Sequence, residues 1–270
     1  MSGQCYTTTN RRVRADEITM QIEVTEVGVE EIHPLRELHR QAMNCQIIHD
    51  SLHRRGFTQS YLVRVGARVA GYGAITSGED RHRVFPRGIV KEFYLLPEYR
   101  GDAVPLFGEF VRTSHATRIC AQSNDPLLSL MLYDFAEGIT SDVIIFHDFL
   151  TSHLTLPDGV FLPGVPANGK DGEWVIEVSG EVVAWGGFTT HYNPPYGDIY
   201  MATAEPHRRR GYASFLIQQL KRVCYEAGRR PAARCNAGNL GSRKALENAG
   251  LFPCGRLLEG AIRDARIETP

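Results

Sequence analysis

The sequence predicts an α/β fold built on mixed sheet, arranged as two domains in tandem, each a mostly antiparallel central sheet flanked by helices. Three observations predict it. Short stretches of alternating apolar and β-branched residues recur along the chain, separated by helical stripes. The order hairpin, strand, helix, strand, helix can be read twice. Between the two runs lies a Gly/Pro-rich stretch. The division that follows is a polar tail over 1–19, a first domain over 20–156, a linker or loop over 157–172 and a second domain over 173–270.

The bulk numbers suit such a fold. A chain of 270 residues has room for two ordinary domains, and 43% hydrophobic residues can bury a core without a metal or disulfide staple. Thirty basic against 31 acidic residues leave a net charge of -1, so neither nucleic acid nor a membrane surface is expected as a partner. The cysteines Cys5, Cys45, Cys120, Cys224, Cys235 and Cys254 are scattered without a C-x-x-C pair, which points to free thiols in a reducing compartment. The apolar run Val143 to Phe146 is far too short to span a bilayer, and the N-terminus carries no apolar signal core. A cytoplasmic location is expected. Met1 to Ile18 is polar and aperiodic, as a disordered tail is, and Met20 offers an alternative start.

In the first run, Gln21 to Val27 alternates as a strand does. Val29 to Met43 carries a helical stripe of Ile32, Leu35, Leu38 and Ala42, broken early by Pro34. Ile47 to Arg55 predicts a short helix ended by Gly56. Tyr61 to Val65 and Val69 to Ile75 predict a hairpin around Gly66, Ala67 and Arg68. A strand over Ile89 to Leu96, a helix from about Val104 to His115, a strand over Arg118 to Gln122 and a helix over Asp125 to Glu137 complete it.

The second run opens with a hairpin, Trp174 to Val178 and Val182 to Phe188, turning at Ser179, Gly180 and Glu181. Ile199 to Thr203 predicts a strand. Tyr212 to Ala227 is amphipathic, with Ala213, Leu216, Leu220 and Val223 on one face and Gly228 to stop it. Ala232 to Cys235 predicts a strand, and Gly241 to Ala249 a helix ended by Gly250.

The segment that carries chemistry is Arg208-Arg209-Arg210-Gly211-Tyr212-Ala213, set between a strand and the long helix. A glycine there lets backbone approach a ligand closely. The helix start presents unpaired N–H groups and the positive end of its dipole, a cradle for a pyrophosphate, and three arginines add charge. No G-x-G-x-x-G follows any strand, which disfavours a Rossmann dinucleotide site.

This segment resembles the R-x-x-G-x-A loop of the GNAT superfamily of N-acetyltransferases. Asn239-Leu240-Gly241-Ser242-Arg243-Lys244-Ala245-Leu246-Glu247-Asn248-Ala249-Gly250-Leu251 is similar to that family's second motif. The first run resembles the same fold in a worn form: Leu96-Pro97-Glu98-Tyr99-Arg100-Gly101-Asp102-Ala103 has Ala103 in place of a glycine and Pro105 at the helix start, which argues against a cofactor there. Over nearly the whole chain from about Met20 the sequence therefore resembles a tandem-GNAT protein with a degenerate first repeat.

The resemblance implies acetyl-CoA as co-substrate, no metal, and an amine acceptor, a small molecule or a protein, that attacks the thioester directly in a ternary complex. It implies that Met201, Thr203, Arg208, Arg209, Arg210, Gly211, Tyr212, Ala213, Asn239 and Ser242 hold the cofactor; for Asn239, capping of the last helix is an equal reading. It also implies a backbone N–H of the strand Ile199 to Thr203 as donor to the thioester oxygen. A lysine-like amine has a pKa of ~10.4, so a base must take its proton. Candidates near the central strand are Tyr200, His191, Asp198 and Glu205, each with a plain structural alternative in packing, turns or solvation. The tyrosine that assists the leaving thiol in the family is replaced by Leu246; Tyr200 or Tyr212 can substitute, or thiolate, of pKa ~8.5, can leave unaided.

Two other features invite attention. His49 and His53 sit at i and i+4, as in a zinc protease helix, but no third ligand follows, and both could instead border an acceptor together with Asp50. Cys235 could accept an acetyl group, but packing in a buried strand is favoured. The function expected is N-acyl transfer, with the first half shaping the acceptor site. The alternative is a non-catalytic acyl-CoA-binding sensor or scaffold, and a zinc hydrolase on His49 and His53 is a remote third. Neither the acceptor nor the oligomeric state is encoded in these patterns.

Overall fold

The computed structural model of the chain describes residues 20–43, 50–77, 79–80, 83–84, 87–165, 173–191 and 194–263. The expected tail, His49, Cys5 and Cys45 lie outside the described residues. In the first half, β1 (Ile22–Val27) leads into α1 (Val29–Gln41) and α2 (Asp50–Arg54). β2 (Thr58–Val65) and β3 (Arg68–Thr76) form the hairpin, followed by the two-residue strands β4 (Glu79–Asp80) and β5 (Arg83–Val84). β6 (Ile89–Leu95), a 3-10 turn over Pro97–Asp102, α3 (Ala103–Ser114), β7 (Arg118–Gln122), α4 (Pro126–Phe135) and β8 (Ala136–Asp148) complete it. The second half contains β9 (Val160–Pro163), β10 (Trp174–Val178), β11 (Glu181–Thr189), β12 (Tyr196–Thr203) and α5 (Tyr212–Glu226). It ends with β13 (Arg230–Asn236), α6 (Leu240–Asn248) and β14 (Leu251–Ile262).

Twelve strands form one mixed sheet in the order β1-β2-β3-β6-β7-β14-β8-β13-β12-β11-β10-β9. All neighbours are antiparallel except β6 with β7 and β12 with β13. The last strands of the halves cross over: β14 lies between β7 and β8, while β8 pairs with β13. One continuous ladder thus joins both halves. Two main cores pack on it. One gathers Phe93, Phe107, Phe110 and Phe135 under α3 and α4; the other gathers Leu216, Ile217, Leu220 and Leu246 under α5 and α6. No helix among the described residues is long and apolar enough to cross a membrane.

Four expectations need correcting. The helix expected over Asp125 to Glu137 ends at Phe135, because Ala136 turns extended and opens β8. Within 157–172, read as linker or loop, Val160–Pro163 forms β9 on the edge of β10, where Phe161 stacks on Trp174 at 4.9 Å. The long strands β8 and β14 were not anticipated. The α1 stripe runs through Pro34 rather than breaking there, held by the burial of Ile32, Leu35 and His39.

Candidate functional site

The parallel pairing of β12 with β13 stops at Ile199 opposite Ala233. β13 continues along β8 as far as Asn236, whereas β12 diverges through Tyr200 to Thr203 while still paired with β11. A wedge opens between them, and main-chain groups of 200–203 on its side have no ladder partner in β13. Gly186 lets β11 and β12 lie close here: a Cβ would sit 2.4 Å from the Tyr200 carbonyl oxygen.

After β12 the chain makes a 3-10 turn at Glu205–His207, then a loop with Arg209 at φ 64° and Gly211 at φ 92°. Both are left-handed; a Cβ added at Gly211 would meet nothing nearer than Pro157 Cγ at 3.7 Å, so conformation rather than space demands glycine. Gly211 caps α5 with no side-chain acceptor, which leaves the first N–H groups of a 15-residue helix pointing out. The cleft they face, about 730 Å³, is bounded by Met201 to Thr203, the loop, the start of α5 and one face of α6. Its lining includes His207, Arg208, Arg209 and Lys244 and, among the described residues, no carboxylate. Two buried polar atoms at its wall, Thr203 Oγ1 and His207 Nδ1, have no hydrogen-bond partner among the described residues. Such a wall suits an anionic, hydrogen-bonding ligand.

Of the anticipated cofactor residues, Met201, Thr203, Arg208, Arg209, Gly211, Tyr212, Ala213, Asn239 and Ser242 line this cleft. Arg210 does not; its side chain is directed at the Tyr212 hydroxyl. Tyr212 itself is buried and donates to Asp158, a bond that, with burial, raises its pKa above the ordinary phenol value. Asn239 Oδ1 accepts from Ser242 N at 3.0 Å, so its side-chain oxygen caps α6. His207, Lys244 and Asn248 also line the cleft and were missed; the helical spacing of Gly241, Lys244, Ala245 and Asn248 is the signal that finds the latter two.

The four base candidates differ in setting. Asp198 is held by both Nε and Nη2 of Arg234. Glu205 is exposed on the loop, 3.9 Å from Arg208. Tyr200 lies over Gly187, where an added Cβ would be 2.7 Å from the tyrosine hydroxyl. His191 is half-buried, and its carbonyl oxygen accepts from Arg54 Nη2 of α2 at 2.5 Å. Burial, then Arg55 and Arg54, lower the His191 pKa below its ordinary value, against a smaller opposing effect of Asp198, so the ring is neutral at pH 7.

Leu246 is 2% exposed within the α5–α6 core and offers no hydroxyl. Burial pushes the Cys235 thiol up, which suppresses the thiolate. His53 is buried with Nδ1 2.8 Å from Thr58 Oγ1 and Nε2 3.3 Å from Glu92 Oε2. Among the described residues no group of three or more His, Cys, Asp or Glu is placed to hold a metal ion.

Comparison with known proteins places this geometry. Residues 146–251 match the model of the Acetyltransferase (GNAT) family, a span that runs from β8 through the cleft to the start of β14. No curated protein matches the chain. Among solved structures it is similar to an acetyltransferase from GNAT family from Colwellia psychrerythraea, at 12% identity and TM-score 0.69 over 89% of this chain and 100% of that one. It is also similar to a tandem GNAT protein from the clavulanic acid biosynthesis pathway, at 15% identity and TM-score 0.57 over 89% and 98%. A GCN5-related N-acetyltransferase from Sphaerobacter thermophilus aligns at 16% identity and TM-score 0.50 over 84% and 85%. At such identities the likeness is one of fold. The architecture is the GNAT fold.

Proposed function

We propose that the chain is an N-acyltransferase that binds acetyl-CoA in the cleft between α5 and α6 and passes the acetyl group to an amine, small or protein-borne, on the opposite face of the sheet. The observation that carries this is the parting of β12 from β13 at Ile199, directly beside a cleft at the N-terminus of α5 whose described lining is basic and holds no carboxylate. The N–H groups of α5, with Arg208 and Arg209, suit a pyrophosphate; the stretch 200–203, beyond the end of its pairing with β13, suits the amide-bearing arm that would lie along it. From Ile199 to Thr203 the strand covers roughly 13 Å, which sets the reacting end well away from the phosphates.

Acetyl-CoA supplies an activated acyl thioester. The chain supplies the rest: a backbone N–H of β12 as donor to the thioester oxygen, and His191 as the group that takes the amine proton. His191 is preferred over Asp198 because its ring is neutral, while the Asp198 carboxylate is already committed to Arg234. As the C–N bond forms, the C–S bond breaks and CoA leaves as thiolate.

We also read the halves as two repeats, the first no longer able to bind CoA. Gly73 faces Phe93 as Gly186 faces Met201. Arg100 Nε donates to the Leu95 carbonyl as Arg208 Nε does to that of Thr203, both at 3.3 Å. Asp125 caps α4 as Asn239 caps α6. In the first half, however, the loop is a 3-10 turn that runs straight into α3. His39 bridges Tyr72 and Asp125 across the corresponding wedge and stacks on Tyr94. By the same register Glu92 takes the place of Tyr200 and is closed in by Arg36, His53 and Tyr72. The four described cysteines form no disulfide with one another, which suits a reducing, cytoplasmic setting.

A second reading, a non-catalytic acyl-CoA-binding module, draws on the buried Leu246 and the pairing of Asp198. Thiol release from acetyl-CoA in the presence of an amine mixture separates the two. Release that is lost in Gly211→Glu supports the transferase, and binding without release supports the module.

A further inference from the structure

The wedge between β12 and β13 has a second face, away from α5 and α6. Ile199, Ala233 and Cys235 pack toward the α5–α6 core, so alternation along the strands turns Asp198, Tyr200 and Arg234 to the other side. Helix α2, from the first half, reaches this side through the bond from Arg54 to the His191 carbonyl. The polar side chains that α2 turns inward lie against the first half: Asp50 pairs with Arg36 at 2.8 Å, and His53 Nε2 lies 3.3 Å from Glu92. Arg54 and Arg55 project outward, exposed and without an ion-pair partner among the described residues. Among the described residues, the guanidinium groups of Arg54, Arg55 and Arg234 therefore gather about His191 against the carboxylate of Asp198, which Arg234 already engages.

We propose that the acceptor is an amine that also carries an anionic group, a carboxylate in its simplest form as in an amino acid, and that Arg54 and Arg55 bind that anion. The inference rests on the acyl-CoA reading of the cleft and names what approaches from the other face. A guanidinium pairs with a carboxylate through two parallel N–H bonds, which orients the substrate as well as attracting it. With the anion on α2, the amine is directed toward the wedge, where His191 takes one proton as nitrogen attacks the acyl carbon and thiolate departs. Polycationic amines meet like charge at the same place and are disfavoured.

Arg55 is exposed, so its replacement leaves the fold intact, and it serves as the test. Thiol release by the full chain would be measured with matched pairs of an amino acid and its decarboxylated amine, and with spermidine as polycation. The wild type should favour the carboxylate-bearing member by about tenfold or more in kcat/KM, the scale of one charge-assisted contact. In Arg55→Ala that preference should shrink through a raised KM, with acetyl-CoA affinity unchanged, and Arg55→Glu should reverse it. Equal turnover of both members, with release still dependent on Gly211, overturns the inference and leaves the acyltransferase reading standing. No turnover of any amine, with acetyl-CoA bound, overturns both.

Discussion

Arg54 of α2 donates a hydrogen bond to the carbonyl oxygen of His191, 137 positions later in the chain. A helix of the first half is thereby fastened to the segment that leads into β12, so the halves share the face on which we place the acceptor. Arg54→Ala removes this tie without disturbing the cleft on the other side. Acetyl-CoA affinity should be unchanged by calorimetry, while kcat/KM for the amine falls, on the order of tenfold for a lost charge-assisted hydrogen bond. An equal loss in acetyl-CoA affinity would show that α2 supports the cleft instead.

His191 predicts a pH dependence. Burial and the arginines of α2 hold its pKa below the ordinary value of 6.5. As a base it works in its neutral form, so kcat/KM should hold through neutral pH and fall only as the solution becomes more acidic than its own lowered pKa. His191→Gln should remove that acidic limb along with most of the rate, roughly 10²–10⁴-fold. A limb that persists in the variant would assign it to another group.

Glu92 is fully buried against Arg36 Nε and Nη2, at 2.8 and 2.9 Å, and beside His53. Burial alone would raise its pKa, but Arg36 and His53 outweigh burial and hold the carboxyl well below the usual carboxylate range. A depressed folded-state pKa contributes stability above the unfolded value and loses it as pH falls toward the folded one. Glu92→Ala should thus cost about 3–5 kcal/mol at pH 7, because it breaks a buried pair and leaves Arg36 with Asp50 as its remaining carboxylate. In denaturant titrations the deficit relative to wild type should narrow below about pH 4. A small cost at pH 7 would mean that the network is not a strut of the first half.

Gly186→Ala should weaken acetyl-CoA binding with no change in cleft charge. Its Cβ would meet the Tyr200 carbonyl oxygen and Met201 Cα, at 2.4 and 3.1 Å, and push β12 out of position. Gly180→Ala, in the open turn between β10 and β11, strains a backbone at φ 84° but makes no such contact and is the control. If both variants bind alike, the close approach of β11 to β12 does not shape the cleft.

The elements legible in the sequence are those with local signals. The hairpins, α5 and the loop Arg208 to Ala213 follow from alternation, from a helical stripe and from a glycine at a helix start. β8 was hidden because its first half, Ala136 to Asp142, is polar, contains Gly138 and extends the α4 stripe at its start. β14 carries Pro253 and Gly255, residues that usually argue against a strand, and the register shifts between them. Its insertion between β7 and β8 depends on partners more than a hundred positions away, which no local pattern encodes. The site divides in the same way. The cleft is nearly all contributed by two consecutive helices and one loop, so its residues could be named from spacing. The opposite face is assembled from α2, Asp198 and Arg234, and only the fold brings these together.

The central claim is that the cleft beside Gly211 binds acetyl-CoA. Its most direct test is calorimetric titration of acetyl-CoA into the wild type, Gly211→Glu and Arg209→Glu, with circular dichroism to verify the fold of each. Glutamate at 211 must adopt a left-handed conformation, a strain of roughly 1–2 kcal/mol, and brings a carboxylate to the start of α5. Arg209→Glu reverses a charge in the lining without replacing the glycine. The account predicts saturable, stoichiometric binding to the wild type and its loss in both folded variants. Absence of binding to the wild type, or unchanged affinity in the variants, would contradict it.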